Sequence, residues 1–134
     1  MNKIHQKYYN HPLFERCIEI SAPNGYMLLI DNLIYWLDKF NKKSNCTIGI
    51  SQVKMKFGLL TIYIEDYLKN VNDTTISEKL LQVREKIKET SEAAKEICNI
   101  CGNKKVEIVY QTKITMVCFD HFPQQKYGVF NVHK

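Results

Sequence analysis

Between Gln52 and Ile64 the sequence reads QVKMKFGLLTIYI, and apolar residues occupy every second position on both sides of Gly58. The apolar positions are Val53, Met55 and Phe57 before Gly58, and Leu60, Ile62 and Ile64 after it. This alternation predicts two β-strands with one face in the core and the other in water. Gly58 is expected to be the first central residue of a type II′ turn, where the φ angle is positive. The segment therefore predicts a β-hairpin.

The polar positions of this hairpin form a second, outward face. They are Lys54, Lys56, Thr61 and Tyr63. Strand residues two positions apart point to the same side, so we expect these side chains to lie together. Basic and aromatic residues side by side are typical of interface anchors, which predicts a partner-binding face. A solvated face with one stray tyrosine is the alternative.

A helix is predicted on each side of the hairpin, and a shorter one before Arg16. From Tyr26 to Phe40, apolar residues recur at three- and four-residue steps, which indicates a helix with one buried stripe. Asn24 is a candidate cap for its start. The apolar surface is widened by Leu28, Ile34, Tyr35 and Trp36 outside the stripe, so we expect this helix to be well buried.

The helix after the hairpin is amphipathic. Its apolar stripe runs from Ile76 to Ile97 with charged residues between, and Thr75 with Glu78 fits a capping box at its start. A coiled-coil dimer seam would show the same spacing. Packing on the hairpin is the favoured interpretation, because a two-stranded sheet needs a cover for its apolar face.

A metal-binding motif follows this helix, in the sequence CNICGNKKVEIVYQTKITMVCFDH. The candidate ligands are Cys98, Cys101, Cys118 and His121, which form two pairs with a gap of two residues each. Such a gap lets both members of a pair reach one ion, and Zn²⁺ prefers four thiolate or imidazole ligands in a tetrahedron. Strands at Val106–Tyr110 and 114–117, turning at 111–113, would bring the second pair back beside the first. We therefore expect one zinc ion; reduced cysteines that bind nothing and disulfides are the alternatives.

The predicted zinc is structural rather than catalytic, because four strong ligands leave no position for a reacting water. The His-x-Glu of zinc deaminases is absent, as are the P-loop, GxSxG and GxGxxG motifs. The sequence therefore does not predict an enzyme. Cys17 and Cys46 have no ligand spacing and are expected to be plain buried thiols.

Composition indicates one globular domain of the α+β class. The chain has 134 residues, 45% of them hydrophobic and 25% charged. Residues 1–97 are expected to form a helix–hairpin–helix core, with a small zinc-ribbon or treble-clef-like module at 98–134 packed on it. No apolar run approaches the length of a membrane span, and the first residues show no export signal, so the expected location is the cytoplasm.

The order of these motifs resembles a family of small uncharacterised bacterial and phage proteins. The shared pattern is a lysine-rich strand ending in Lys-Phe-Gly, an aromatic strand, a helix, Cys-x-x-Cys-Gly and a final Cys-x-x-His, with a Gly-aromatic helix start like NGY here. The resemblance covers residues 24–121. Leu59 and Thr61 depart from it, since the family usually has Gly and Arg there. The resemblance implies a zinc-bearing α+β domain and often a mobile-element origin, without an established activity.

Three classes of function remain. The first is a module that binds a bacterial protein, such as a phage-encoded inhibitor of a defence system. The second is a nucleic-acid-binding accessory protein, because the mild net charge of +5 includes Lys104, Lys105 and Lys113 beside the zinc motif. The third, a metal-dependent enzyme, has least support. Small size, modest charge and spare tyrosines favour the first class.

Overall fold

A mixed three-stranded sheet forms the centre of the described structure. The structure is a computed structural model that describes residues 2–67, 74–100, 106–110, 113–117 and 131–133, with side chains for 2–67 and 77–100. Strands β2 (Ile48–Lys56) and β3 (Leu59–Asp66) pair antiparallel, and the short strand β1 (Ile20–Ser21) runs parallel to β2 at its edge. The predicted hairpin is confirmed. A strand of two residues is too short to show a period, so β1 was not predicted.

The hairpin turn differs from its predicted geometry. Lys56 pairs with Leu59, so the loop consists of Phe57 and Gly58, whose φ angles are 53° and 78°. Two positive φ angles define a type I′ turn, with Gly58 as the second central residue rather than the first of a type II′ turn. Phe57 was expected in the core, but it is 91% exposed. That prediction is wrong because the alternating pattern does not show where the strand ends.

Three α-helices pack against the sheet around one hydrophobic core: α1 (Lys3–Tyr8), α2 (Met27–Ser44) and α3 (Thr74–Ala94). Apart from Cys98 after α3, the side chains with the least exposure come from all three helices, from the residue before α2 and from β2. They are Ile4, Tyr26, Ile30, Leu33, Leu37, Ile48, Ile50, Val53 and Val83. The α+β class and the order of helix, hairpin and helix are therefore confirmed.

α3 packs on the sheet and on α2, which confirms the favoured interpretation of its apolar stripe. The hydroxyl of Ser91 donates to the carbonyl oxygen of Leu60 in β3 at 2.8 Å. The ammonium of Lys79 donates to the carbonyl oxygen of Ser44, at the end of α2, at 2.7 Å. The predicted capping box falls on the side chain of Thr75, which lies outside the described part.

The ends of α2 are set by backbone geometry rather than by the predicted cap. A 3₁₀ turn at Asn24–Tyr26 precedes the helix, and the side chain of Asn24 accepts the backbone N–H of Lys3 at 3.2 Å. Asn45, with a φ of 54°, ends the helix in the left-handed conformation. Leu28 is 69% and Tyr35 is 65% exposed, so the expectation of a well-buried helix is wrong for these two.

The described C-terminal strands form a second sheet in the order β5-β4-β6. β4 (Val106–Tyr110) pairs antiparallel with β5 (Lys113–Val117) and with β6 (Asn131–His133). Both strands predicted after the first cysteine pair are confirmed, although Lys113 belongs to β5 rather than to the turn. β6 was not predicted. The zinc-module architecture and its boundary at residue 98 stay predictions.

Candidate functional site

The first predicted zinc ligand, Cys98, is fully buried just after α3. Its sulfur accepts the backbone N–H of Ile100 at 3.3 Å, and its side chain is 0% exposed. Zinc binds cysteine in the thiolate form. The other predicted ligands, Cys101, Cys118 and His121, lie outside the described residues. Within the part that the structure describes, no group of three or more His, Cys, Asp or Glu side chains is placed to hold a metal ion.

Gly25 holds the Cys98 segment against the start of α2. Its N–H donates to the carbonyl oxygen of Asn99 at 2.9 Å. A Cβ atom at this position would lie 2.3 Å from the carbonyl oxygen of Cys98 and 2.5 Å from the carbonyl carbon of Asn99. Because both neighbours are backbone atoms, no side chain fits here. The Gly-aromatic pattern at the start of α2 therefore has a packing reason in this chain.

Tyr26 lies in the core beside the same segment. It is 1% exposed, and burial, followed by the nearby Cys98 sulfur, raises the pKa of Tyr26 to about 12. Tyr26 is thus a buried, uncharged side chain of the core that lies close to the Cys98 sulfur.

The four predicted partner-binding residues share one side of the sheet. In the observed register Lys54 is opposite Thr61, Lys56 is opposite Leu59, and Tyr63 is opposite Gln52. Directly opposed residues of antiparallel strands point to the same side. We call the side formed by Gln52, Lys54, Lys56, Leu59, Thr61 and Tyr63 the outer face. The structure thus brings Lys54, Lys56, Thr61 and Tyr63 together, while their role in binding stays a prediction.

An acidic residue that was not predicted borders the outer face on the β1 side. The carboxylate of Glu19 accepts hydrogen bonds from Gln52 Nε2 at 2.7 Å and from Ser21 Oγ at 2.9 Å. These bonds, with a smaller contribution from the positive charge of Lys54, hold the pKa of Glu19 below its usual value. Glu19 was missed because only the parallel pairing of β1 with β2 brings it to this place.

Apolar side chains are also exposed along the hairpin. At the turn, Phe57 is 91% and Leu59 is 40% exposed, and the ammonium of Lys56 lies 6.0 Å from the centre of the Phe57 ring. Tyr63, opposite Gln52 near the β1 side, is 39% exposed. Clustered exposed aromatic and aliphatic residues mark interaction sites more often than isolated ones do. In the sequence, the position of Phe57 directly before the turn glycine is the signal that could have indicated its exposure.

Comparison of the chain with protein-family models, with curated proteins and with solved structures found no match. None of the helices in the described ranges is long and apolar enough to cross a membrane. The assignment of function therefore depends on this chain's own residues.

Proposed function

We propose that this chain is a zinc-stapled module that binds a protein through the outer face of its sheet. One structural zinc ion is held by Cys98, Cys101, Cys118 and His121. The partner is a bacterial protein, and the resemblance to phage and mobile-element proteins favours a component of a defence system that the module inhibits.

Three observations support the zinc staple. The ligand spacing suits tetrahedral coordination, and Cys98 is buried with a backbone N–H directed at its sulfur. In the second sheet Val106 pairs with Val117, so the chain enters and leaves the β4–β5 hairpin at the same end. The two ligand pairs flank these residues in sequence. Metal binding would supply folding free energy to a segment of short strands.

The observation that carries protein binding is the exposure of three large apolar side chains, Phe57, Leu59 and Tyr63, on one hairpin. Lys54 and Lys56 lie beside them on the outer face. Anchors of protein interfaces are enriched in aromatic residues, with polar and charged residues around them. Nucleic-acid binding would instead need an extended basic surface, whereas the basic side chains of the outer face are Lys54 and Lys56.

The test is the variant Lys54→Glu, Lys56→Glu, Tyr63→Ala. We expect it to keep the fold, measured by circular dichroism, and to recover at least about tenfold less of the wild-type partner in a pulldown from bacterial lysate. The matched control is Lys3→Glu, Lys88→Glu, Tyr9→Ala. It makes the same changes of charge and size at exposed positions away from the outer face.

Two results would contradict the proposal. If the outer-face variant recovers every partner in full, the outer face is not the binding site. Recovery of nucleic acid alone by the wild type, with binding that weakens steeply as salt rises, would show that the nucleic-acid class is correct instead. Lys104, Lys105 and Lys113 would then be the residues to replace.

A further inference from the structure

A groove with aromatic and basic walls lies on α2, away from the outer face. Tyr35, Lys39 and Lys43 follow one another at four-residue steps, and Trp36 and Phe40 form the adjacent row. These five residues line an open space of about 280 Å³ whose walls are mainly apolar. We call this space the α2 groove. The rings of Trp36 and Phe40 stack with centres 5.0 Å apart and planes 17° from parallel.

The charge of the α2 groove is positive. Among the residues that the structure describes, none that lines the groove is acidic, and Lys86 of α3 adds a third ammonium group 5.8 Å from the centre of the Trp36 ring. The nearest ion pairs are exposed: Lys86 lies 3.6 Å from Glu89, whose side chain is 71% exposed, and Asp38 pairs with Lys42 at 3.0 Å. Exposed pairs of this kind are weak, so they leave the groove attractive to carboxylates.

We infer that the α2 groove binds an acidic peptide segment of a protein partner. One large apolar side chain of the segment packs against Trp36 and Phe40, while its carboxylates pair with Lys39 and Lys43. Interfaces commonly combine an apolar anchor in a pocket with complementary charges at the rim.

The open shape of the groove and the positions of its rings favour this ligand over two others. Small-molecule sites enclose most of the ligand's surface, whereas this space is open, so it suits a side chain of a docked segment better than a cofactor. Single-stranded nucleic acid needs free ring faces for base stacking. Here the ammonium of Lys39 lies 4.4 Å from the centre of the Tyr35 ring, and Trp36 is already stacked on Phe40.

Trp36 is the only tryptophan of the chain, so its fluorescence reports directly on the α2 groove. The probe is a short synthetic peptide of Glu and Asp with one Phe. The comparison peptides replace the acids by Gln and Asn, or the Phe by Ala. Oligothymidylate serves as the nucleic-acid probe.

We expect the acidic apolar peptide to change the Trp36 emission saturably and to bind at least about tenfold more tightly than either comparison peptide or oligothymidylate. Lys39→Glu with Lys43→Glu should weaken binding about tenfold or more, and Tyr35→Ser, an exposed change, should weaken it without altering the fold. Lys3→Glu with Lys88→Glu, which changes the net charge equally, should stay within about twofold of the wild type.

Equal binding of the neutral peptide, tighter binding of oligothymidylate, or no saturable change with any probe would overturn the inference. Equal weakening by the charge-matched control would overturn it too, because binding would then follow overall charge. Replacing Lys54 and Lys56 on the outer face should leave peptide binding unchanged, which separates this inference from the proposed function.

Discussion

Replacement of Gly25 by alanine tests the contact between the predicted zinc segment and the core. The added Cβ atom would lie 2.3 Å from the carbonyl oxygen of Cys98 and within 2.6 Å of two backbone atoms of Asn99. Real Cβ contacts are not this short, and backbone atoms cannot rotate away as the end of a side chain can. The segment around Cys98 must therefore move away from α2, and the bond from Gly25 N–H to Asn99 is lost with it.

The expected loss of stability combines three contributions. Overpacking in a close-packed core costs about 1–3 kcal/mol. Loss of the backbone hydrogen bond costs about 1 kcal/mol. Alanine recovers about 0.4–1 kcal/mol by restricting the unfolded chain. The free energy of unfolding should fall by about 2 kcal/mol, which for 134 residues lowers the unfolding midpoint by about 8 °C.

Urea and thermal unfolding followed by circular dichroism measure this loss, with both proteins in the same zinc buffer. Asn32→Ala is the control, because Asn32 is exposed on α2 and alanine is a good helix former. If Gly25→Ala unfolds within about 0.5 kcal/mol of Asn32→Ala, the close approach does not exist in solution. Zinc affinity gives a second measurement, since a displaced Cys98 should bind the metal less tightly.

Elemental analysis of the purified protein should find about one zinc per chain and less after Cys98→Ser; a metal-free wild type would contradict the predicted cage. Phe57→Asn should raise the free energy of unfolding by about 1 kcal/mol, because asparagine tolerates the positive φ angle of 53°; a less stable variant would show that Phe57 is not strained. Burial, followed by the hydrogen bond to Asp31, raises the pKa of Tyr8 well above its usual 10.0. As pH rises, the Tyr8 phenol therefore loses its proton in the unfolded chain before it does so in the folded chain, and the free energy of unfolding should fall above about pH 10. Tyr8→Phe should reduce that fall, measured by unfolding at alkaline pH. Equal pH profiles of the two proteins would refute this.

The parts of the fold that sequence predicts well are those with a long, uniform period. The hairpin segment from Gln52 to Ile64 and the stripe of α3 repeat their patterns over many residues, so a single misleading position has little effect on the prediction. The edge strand β1 has two residues and depends on a parallel partner far away in sequence, so no local signal predicts it. The exposure of Leu28 and Tyr35 on α2 was not predicted, because apolar residues were assigned to the core. Folded proteins also expose many apolar residues, and only the packing shows which ones.

The same distinction applies to the candidate site. Period two placed Lys54, Lys56, Thr61 and Tyr63 on one side of the sheet, and the register of β2 with β3 agrees. The acid beside them comes from another part of the chain, so the sequence could not show how the charge is distributed. A glycine between two alternating segments predicts a hairpin, but it does not show whether the second turn residue precedes or follows it. In this hairpin the second turn residue is Phe57, which is therefore exposed rather than in the core.

The energetics of Phe57 indicate where on the hairpin contact energy with a partner is concentrated. A side chain at positive φ costs about 1–2 kcal/mol, and at 91% exposure this phenylalanine gains almost no burial in the isolated chain. The type I′ turn accounts for the positive φ angle, so the exposed ring is the feature that points to a partner. We therefore expect a partner to contact Phe57, with Lys56 and Leu59 beside it. Burial of the Phe57 ring would stabilise the complex, whereas folding of the isolated chain leaves this ring in water.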